Sequence, residues 1–388
     1  MSASPGPRQR LLLMGAGHSH ARVLLDFVRR PMSGVDIVLV SPSPLAPYSG
    51  MVPGWLAGTY RYEEICIDFA ALTRASGATF VAGEVVQLDA EKRTARLADG
   101  TVCAFDICSI DVGSTLRPPE VPGATVLSMR PLGSLLVRWS EMLARKDSAG
   151  ADAPIRITAA GGGAAGVESL LAVRHRLLAA HPGRTVHAEL VSQSATLLPG
   201  LSAGAARRAQ RALRRAGVVV RLGTDFDPQA AAGSLVLWAT GAQAHAWLGR
   251  SALAVNGEGF IRVDALLRSL SHPQVYAAGD CIAWEGRTLP KAGVFAVHMG
   301  PVLSRNLRAR LGSGEEAAPY RPRRRFLSLL STADGRAIGA FGPWSMEGRW
   351  LWRLKDWIDR RFVARYALPA RSGDASPGWQ PGTPPGRP

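Results

Sequence analysis

Apolar residues fall along this chain in two alternating kinds of run. Short, nearly continuous ones lead straight into glycine: LLLM (11–14) precedes Gly15-Ala16-Gly17, and IRITAA (155–160) precedes Gly161-Gly162-Gly163. Longer runs with helical spacing follow at once, HARVLLDFVRR (20–30) and AAGVESLLAVRHRLL (164–178). A second short run then comes in each case, VDIVLVS (35–41) and TVHAELVS (185–192). Strand, glycine loop, helix, strand is the βαβ unit of a parallel sheet, and it occurs twice. Between the units lie strand-like stretches, ATFVAGEVVQLDA, RTARLADG and TVCAFDICSIDVGS, with a hairpin signal at 98–100.

The same pattern divides the chain. Residues 1–9 read as a loose arm, 10–120 as the first unit and 121–252 as the second. Residues 253–325 read as a return to the first unit, and 326–369 as strands followed by an amphipathic helix. The Pro/Gly/Ser-rich tail 370–388 reads as disordered. The fold class expected is α/β, with two Rossmann-like dinucleotide-binding domains and a small C-terminal α+β region.

Composition adds little to the fold and more to the partners. Of 388 residues, 47% are hydrophobic and 20% charged, an ordinary globular balance. No uninterrupted apolar run is long enough to span a bilayer, and MSASPGPRQR lacks a secretory core, so a cytoplasmic protein is expected. The four cysteines, Cys66, Cys103, Cys108 and Cys281, form no C-x-x-C and no metal spacing, and read as buried free thiols. No metal site is expected. The net charge of +16 calls for an anionic partner, a nucleotide or a membrane surface. It comes without a nucleic-acid motif, so nucleic acid is not expected.

The glycine loops answer that demand. A tight turn lets backbone amides approach a pyrophosphate, and the helix behind adds its dipole. Gly161, Gly163 and Gly166 complete G-x-G-x-x-G. Gly15 and Gly17 keep the phosphate-facing roles of the first loop, with His18 and Ser19 beside them. His20 stands where the third glycine packs helix on strand, which a helix set further from the sheet would accommodate. The acidic residue usual at the second strand's end is Ser41 in one unit and Ser192 in the other, so NADH and NADPH both remain open.

Two further stretches, VLWATGA (235–241) and VYAAGD (275–280), complete an order: glycine loop, glycine loop, Ala-Thr-Gly, Gly-Asp. At this point the chain resembles the two-dinucleotide flavoproteins, the pyridine nucleotide-disulfide oxidoreductase superfamily, over residues 10–366. The resemblance implies FAD as cofactor and NAD(P)H as co-substrate, an FAD domain split into 10–120 and 253–325, and an NAD(P) domain at 121–252. It implies that Gly279 and Asp280 hold the flavin's ribityl and phosphate region, that Thr240 and Gly241 mark the return from the NAD(P) domain, and that Gly113 and Gly293 border the cofactor. The redox C-x-x-x-x-C of disulfide reductases is missing from LAPYSGMVPGWLAG, which places the chain nearer the type II NADH dehydrogenases and sulfide:quinone reductases. GAGHSHARVL, SPSPLAPYSGMVPG, IDVGS, LPKAGVFAVHMGP and EGRWLWRLKDWIDRRF resemble more closely the oxidoreductase module fused ahead of selenide, water dikinase, where His20 is a group feature.

The expected chemistry is hydride transfer from nicotinamide to flavin, then electron transfer to a quinone or another small acceptor. The alternatives are a soluble reductase of a selenium or sulfur compound, and a flavin-based redox sensor with little turnover. The resemblance points to Glu168, on the first turn after the second loop, as the titratable group near nicotinamide and flavin. It places Tyr48, Ser49 and Met51 at the isoalloxazine. Lys291, at the start of a helix read from Pro290 or Lys291, would stabilise reduced flavin. In EGRWLWRLKDWIDRRFVARY (347–366), Trp350, Leu351, Leu354, Trp357, Ile358 and Phe362 are expected on one face, with Arg349, Arg353, Lys355, Asp356 and Arg360 elsewhere. Such a helix suits the inner face of the cytoplasmic membrane, or docking on its own FAD domain or on a second copy in a homodimer.

Overall fold

A computed structural model of the chain describes residues 8–144 and 153–368. The arm expected at 1–9 lies mostly outside the described residues, and the tail at 370–388 wholly so. Gln9 already begins a strand.

Two five-stranded parallel sheets carry the molecule. In the first, the order is Val275–Ala277, Ile107–Ile110, Gln9–Met14, Val35–Ser41, Thr79–Ala82. In the second it is Thr125–Ser128, Leu235–Trp238, Ile155–Ala160, Val186–Ser192, Val218–Leu222. In both, the strand feeding the glycine loop is central. Leu11 to Met14 are wholly buried, as a parallel strand covered on both faces requires, and this is why the sequence shows a run and not an alternation.

Four helices position the site. Helix α1 (His18–Arg29) follows the first loop and α2 (Ala164–Ala180) the second. Helix α3 (Gly293–Arg310) packs on α1. Helix α4 (Arg349–Ala364) closes the C-terminal region behind the antiparallel strands Ser328–Ser331, Ala337–Phe341 and Trp344–Gly348. The hairpin signal at 98–100 joins the antiparallel strands Thr94–Leu97 and Val102–Ala104. One hydrophobic core lies about each sheet, and Tyr48 and Val363 pack against both.

Three expectations are corrected. Helix α3 starts at Gly293, because the backbone of Ala292 is still extended at the cap, so Pro290 and Lys291 precede it. Glu168 is the fifth residue of α2, beyond the first turn, and does not cap the helix. The apolar face read for α4 is split: Leu351 and Phe362 are buried, but so are Lys355 and Asp359, while Trp350 and Trp357 are 53% and 58% exposed. Lys355 and Asp359 neutralise each other across one helical turn (2.6 Å), which lets a charged pair take a core position.

Candidate functional site

The two loops are built alike. Gly15 has φ +96°, and a Cβ there would lie 2.5 Å from the Asp111 carbonyl oxygen. Gly161 has φ +118°, and a Cβ there would lie 2.4 Å from the Ala239 carbonyl oxygen. Only glycine meets both demands. Asp111 and Ala239 thus hold equivalent places at the ends of neighbouring strands. Gly166 packs α2 against its loop, a Cβ there falling 2.0 Å from the Gly161 carbonyl oxygen. Gly163 has open space around it, as a phosphate-facing position needs.

His20 fills the third position by bonding instead of vacating it. Its Nδ1 donates to the Gly15 carbonyl (2.7 Å) and its Nε2 lies 2.9 Å from Ser109 Oγ. Burial pushes its pKa down to about 4, so the ring is neutral. A carbonyl only accepts, so Nδ1 carries the proton and Ser109 donates to Nε2. The histidine is a satisfied brace, and greater separation of helix and sheet is not the whole account.

Sequence reasoning missed Asp111. Its buried carboxylate accepts from the backbone N–H of Ser19 (2.8 Å) and of His20 (3.2 Å), the second and third residues of α1. Burial raises its pKa to about 7, against those two bonds. A Cβ at Gly17 would lie 2.1 Å from its Cγ, and one at Gly279 (φ +73°) 2.5 Å from its Oδ1. Asp280, next in the chain, pairs with Arg130, which also meets Ser114 and donates to the Lys291 carbonyl at 2.9 Å. Arg130 was likewise invisible to motif reading. Lys291 itself bonds the Ile282 carbonyl and lies 3.6 Å above the Phe260 ring, and burial lowers its pKa.

Beyond these loops a mixed aromatic and charged cluster forms. Tyr48 lies 4.3 Å from Phe362 and 5.4 Å from His18, ring centre to ring centre. His18 Nε2 is buried with no hydrogen-bond partner among the described residues. Ser49 Oγ lies against Gly293, at 2.6 Å from where a Cβ would stand, so bare backbone opens α3 here. Lys355 donates from α4 to the Gly50 carbonyl (2.6 Å) as well as to Asp359. Glu168 accepts from the Ser331 N–H (2.7 Å). Burial raises its pKa to about 7, with Lys355 opposing and Asp359 adding.

The remaining sequence-predicted residues fall at strand ends. Ser41 and Ser192 are buried, and Ser192 Oγ accepts from the Ser194 N–H at 3.2 Å. Thr240 and Gly241 are exposed just past Leu235–Trp238, and Gly113 (φ +68°) has open space. Cys66, Cys103, Cys108 and Cys281 are all free, and Cys103 alone of the four is not fully buried. Among the described residues no group of His, Cys, Asp and Glu has the arrangement of a metal site.

Glu168 has a measurable consequence. Its folded pKa of about 7 lies above its ordinary 4.5, so the folded state holds a proton that the unfolded chain releases between those values. Stability is therefore lost as pH rises from about 4.5 through about 7. Glu168→Gln, which can still accept from Ser331, is expected to melt higher than wild type by a margin that grows from about pH 5 to about pH 8. Parallel melting curves across that range would sink the assignment.

Two glycine loops on two parallel sheets, each opening onto a helix start, define a fold of the kind that binds two dinucleotides. The chain belongs to the pyridine nucleotide-disulphide oxidoreductase family, whose sequence profile matches residues 10–300. Members of that family are FAD-dependent and take NAD(P)H as substrate. The fold matches that of NDH2 from Plasmodium falciparum in complex with NADH at a TM-score of 0.75, with 12% identity, over 92% of this chain and 97% of that one. It matches the sulfide:quinone oxidoreductase of Aquifex aeolicus at 0.72, with 14% identity, over 92% and 91%. A probable ferredoxin reductase, CtmF, from Castellaniella defragrans is 27% identical over 167 residues, 41% of this chain and 38% of that protein's length.

The residues present fit such cofactors. Bare glycine backbone lines both loops, Gly163 faces open space, and His18 offers an unpartnered buried nitrogen beside Asp280.

Proposed function

We propose that this protein oxidises NAD(P)H at the second loop and delivers the electrons through FAD at the first to a quinone or another small acceptor, with no redox disulfide between. The observation that carries this reading is the cluster of Tyr48, His18, Glu168, Lys355 and Asp359, where α2 and α4 meet the segment that follows the strand Val35–Ser41. Bound FAD supplies the ring that accepts hydride and passes electrons on. The chain's own residues do the rest. The loop containing Gly161 and Gly163 holds the nicotinamide dinucleotide, and that containing Gly15 and Gly17, with Asp280 and Arg130, holds the flavin dinucleotide. Tyr48 and Phe362, packed ring against ring at 4.3 Å with a 33° tilt, exclude water. Glu168, poised near neutrality, holds a proton that a reduced acceptor needs.

The acceptor side is supported by the outer surface of α4. Trp350 and Trp357 project from it, Trp344 (76% exposed) and Met346 project from the strand before it, and Arg349, Arg353 and Arg361 lie among them. Tryptophan with arginine suits an anionic membrane interface, where a quinone dissolves. No helix among the described residues is long and apolar enough to cross a membrane. A soluble reductase of a selenium or sulfur compound is the second reading. It rests on the motifs shared with the module that precedes selenide, water dikinase.

An anaerobic titration with NADH and then NADPH, followed by visible absorbance, tests the reading. Bleaching of a flavin spectrum is expected, and the better reductant identifies the nicotinamide. A flavin that neither nucleotide bleaches would overturn it. Quinone turnover confined to vesicles favours the membrane acceptor, and turnover of a selenium or sulfur compound without them favours the second reading.

A further inference from the structure

We propose that Asp111 makes flavin binding proton-linked: as the neutral acid it donates to the dinucleotide's pyrophosphate, and as the carboxylate it occupies the amides that the pyrophosphate needs. The inference rests on the flavin reading of the first loop and goes beyond it.

The two halves of the molecule supply the comparison. At the second loop, the strand end beside the first glycine carries Ala239 and the packing position carries Gly166. Glycine caps both helices, Gly17 and Gly163, but among the described residues no carboxylate takes the amides at the start of α2. At the first loop the equivalent places carry Asp111 and His20. The Asp111 Oδ2 takes both the Ser19 and the His20 N–H. These are the donors that a helix start offers to a phosphate. An ionised Asp111 is therefore an internal anion at a site made for an external one. Two negative charges sharing one set of amides cannot both be satisfied.

The surroundings fix the direction of the linkage. On α1, burial holds the imidazoles of His18 and His20 neutral, each at about 4, so neither brings a positive charge to this carboxyl. From 279–281, Asp280 adds negative charge and Cys281 is a thiol pushed up to about 12. Arg130 is committed to Asp280. Helix α3 presents no charge here: Ala296 takes the Ser19 hydroxyl and Met299 sulfur the Gly279 N–H. The Ser19 and His20 amides and the Ser19 side chain compensate an Asp111 anion, burial outweighs them, and its own pKa of about 7 places the change in the neutral range. Bound pyrophosphate adds charge and raises that value further, so binding takes up a proton.

The test dilutes the FAD-loaded protein between about pH 6 and about pH 8.5 and reads the fluorescence of released FAD. Above neutrality the Kd is expected to rise toward roughly tenfold per pH unit, the limit for one linked proton. At about pH 8 in weak buffer with a pH dye, about one proton should appear per FAD freed. Asp111→Asn keeps an acceptor for the Ser19 N–H and a donor for phosphate, so its Kd should be low and flat across the range. A flat wild-type profile, the same slope in Asp111→Asn, or FAD release without a proton would overturn the proposal. If Asp111→Asn fails to fold, the proton count on the wild-type protein decides alone. A protein that carries no flavin at any pH would remove the flavin reading itself, whereas flavin bound without a pH slope removes only the proton linkage.

Discussion

Gly163→Val is expected to raise the KM for the nicotinamide roughly a hundredfold while FAD stays bound. The prediction is specific because of what surrounds this glycine. A side chain at Gly161 or Gly166 would strike the loop's own backbone, so loss of function there would report misfolding. At Gly163 nothing lies within 4 Å of an added Cβ, and φ is −75°, which valine adopts. The fold therefore tolerates the substitution, and the side chain enters the space where the pyrophosphate approaches the start of α2. Losing one or two charge-assisted bonds there costs about 3 kcal/mol, or about two factors of ten. Steady-state kinetics and the flavin absorbance ratio read the two halves of the claim. An unchanged KM would show that the second loop holds something else.

Asp280→Ala is the complementary experiment, and its expected result is loss of flavin on purification. Asp280 is half of a pair with Arg130, and Arg130 also reaches Ser114 and the Lys291 carbonyl, just ahead of α3. Removing the carboxylate takes away the group assigned to the ribityl region and frees an arginine inside the cofactor's cradle. A loss of about 3 kcal/mol lowers affinity more than a hundredfold, enough to empty the protein during chromatography. The flavin-to-protein absorbance ratio should fall below about a tenth of wild type. Arg130→Ala should lower it too, since the pair acts as a unit. Full retention in Asp280→Ala would move the flavin's ribityl region elsewhere.

Much of this was legible in the sequence because it is local. A glycine with φ near +100° next to a buried apolar strand leaves its mark within six residues, and both loops were found that way. The parallel sheets followed from runs such as LLLM, which need cover on both faces. The polar residues that complete the site are different. Asp111 ends an apolar strand and touches amides 92 and 91 positions away, and Arg130 meets a carboxylate 150 positions away. Neither has a local signature beyond being charged in an apolar setting. The face of α4 was misread for the same reason. Periodicity groups tryptophans with leucines, but Lys355 turns inward, where the Gly50 carbonyl and the Asp359 carboxylate accept its hydrogen bonds.

The bonds that hold α4 to the early segment around Gly50 and Tyr60 set a schedule for the making of this protein. Lys355 reaches Gly50 across 305 positions, and Asp356 accepts from Tyr60 across 296. At synthesis rates of about 5–20 residues per second, the segment around Tyr48 waits roughly 15–60 s on the ribosome before its covering helix emerges. Throughout that interval the Gly50 carbonyl and the side of Tyr48 that packs on Phe362 are uncovered. The newborn chain therefore passes through a period of stickiness, and any chaperone that serves it has its work there.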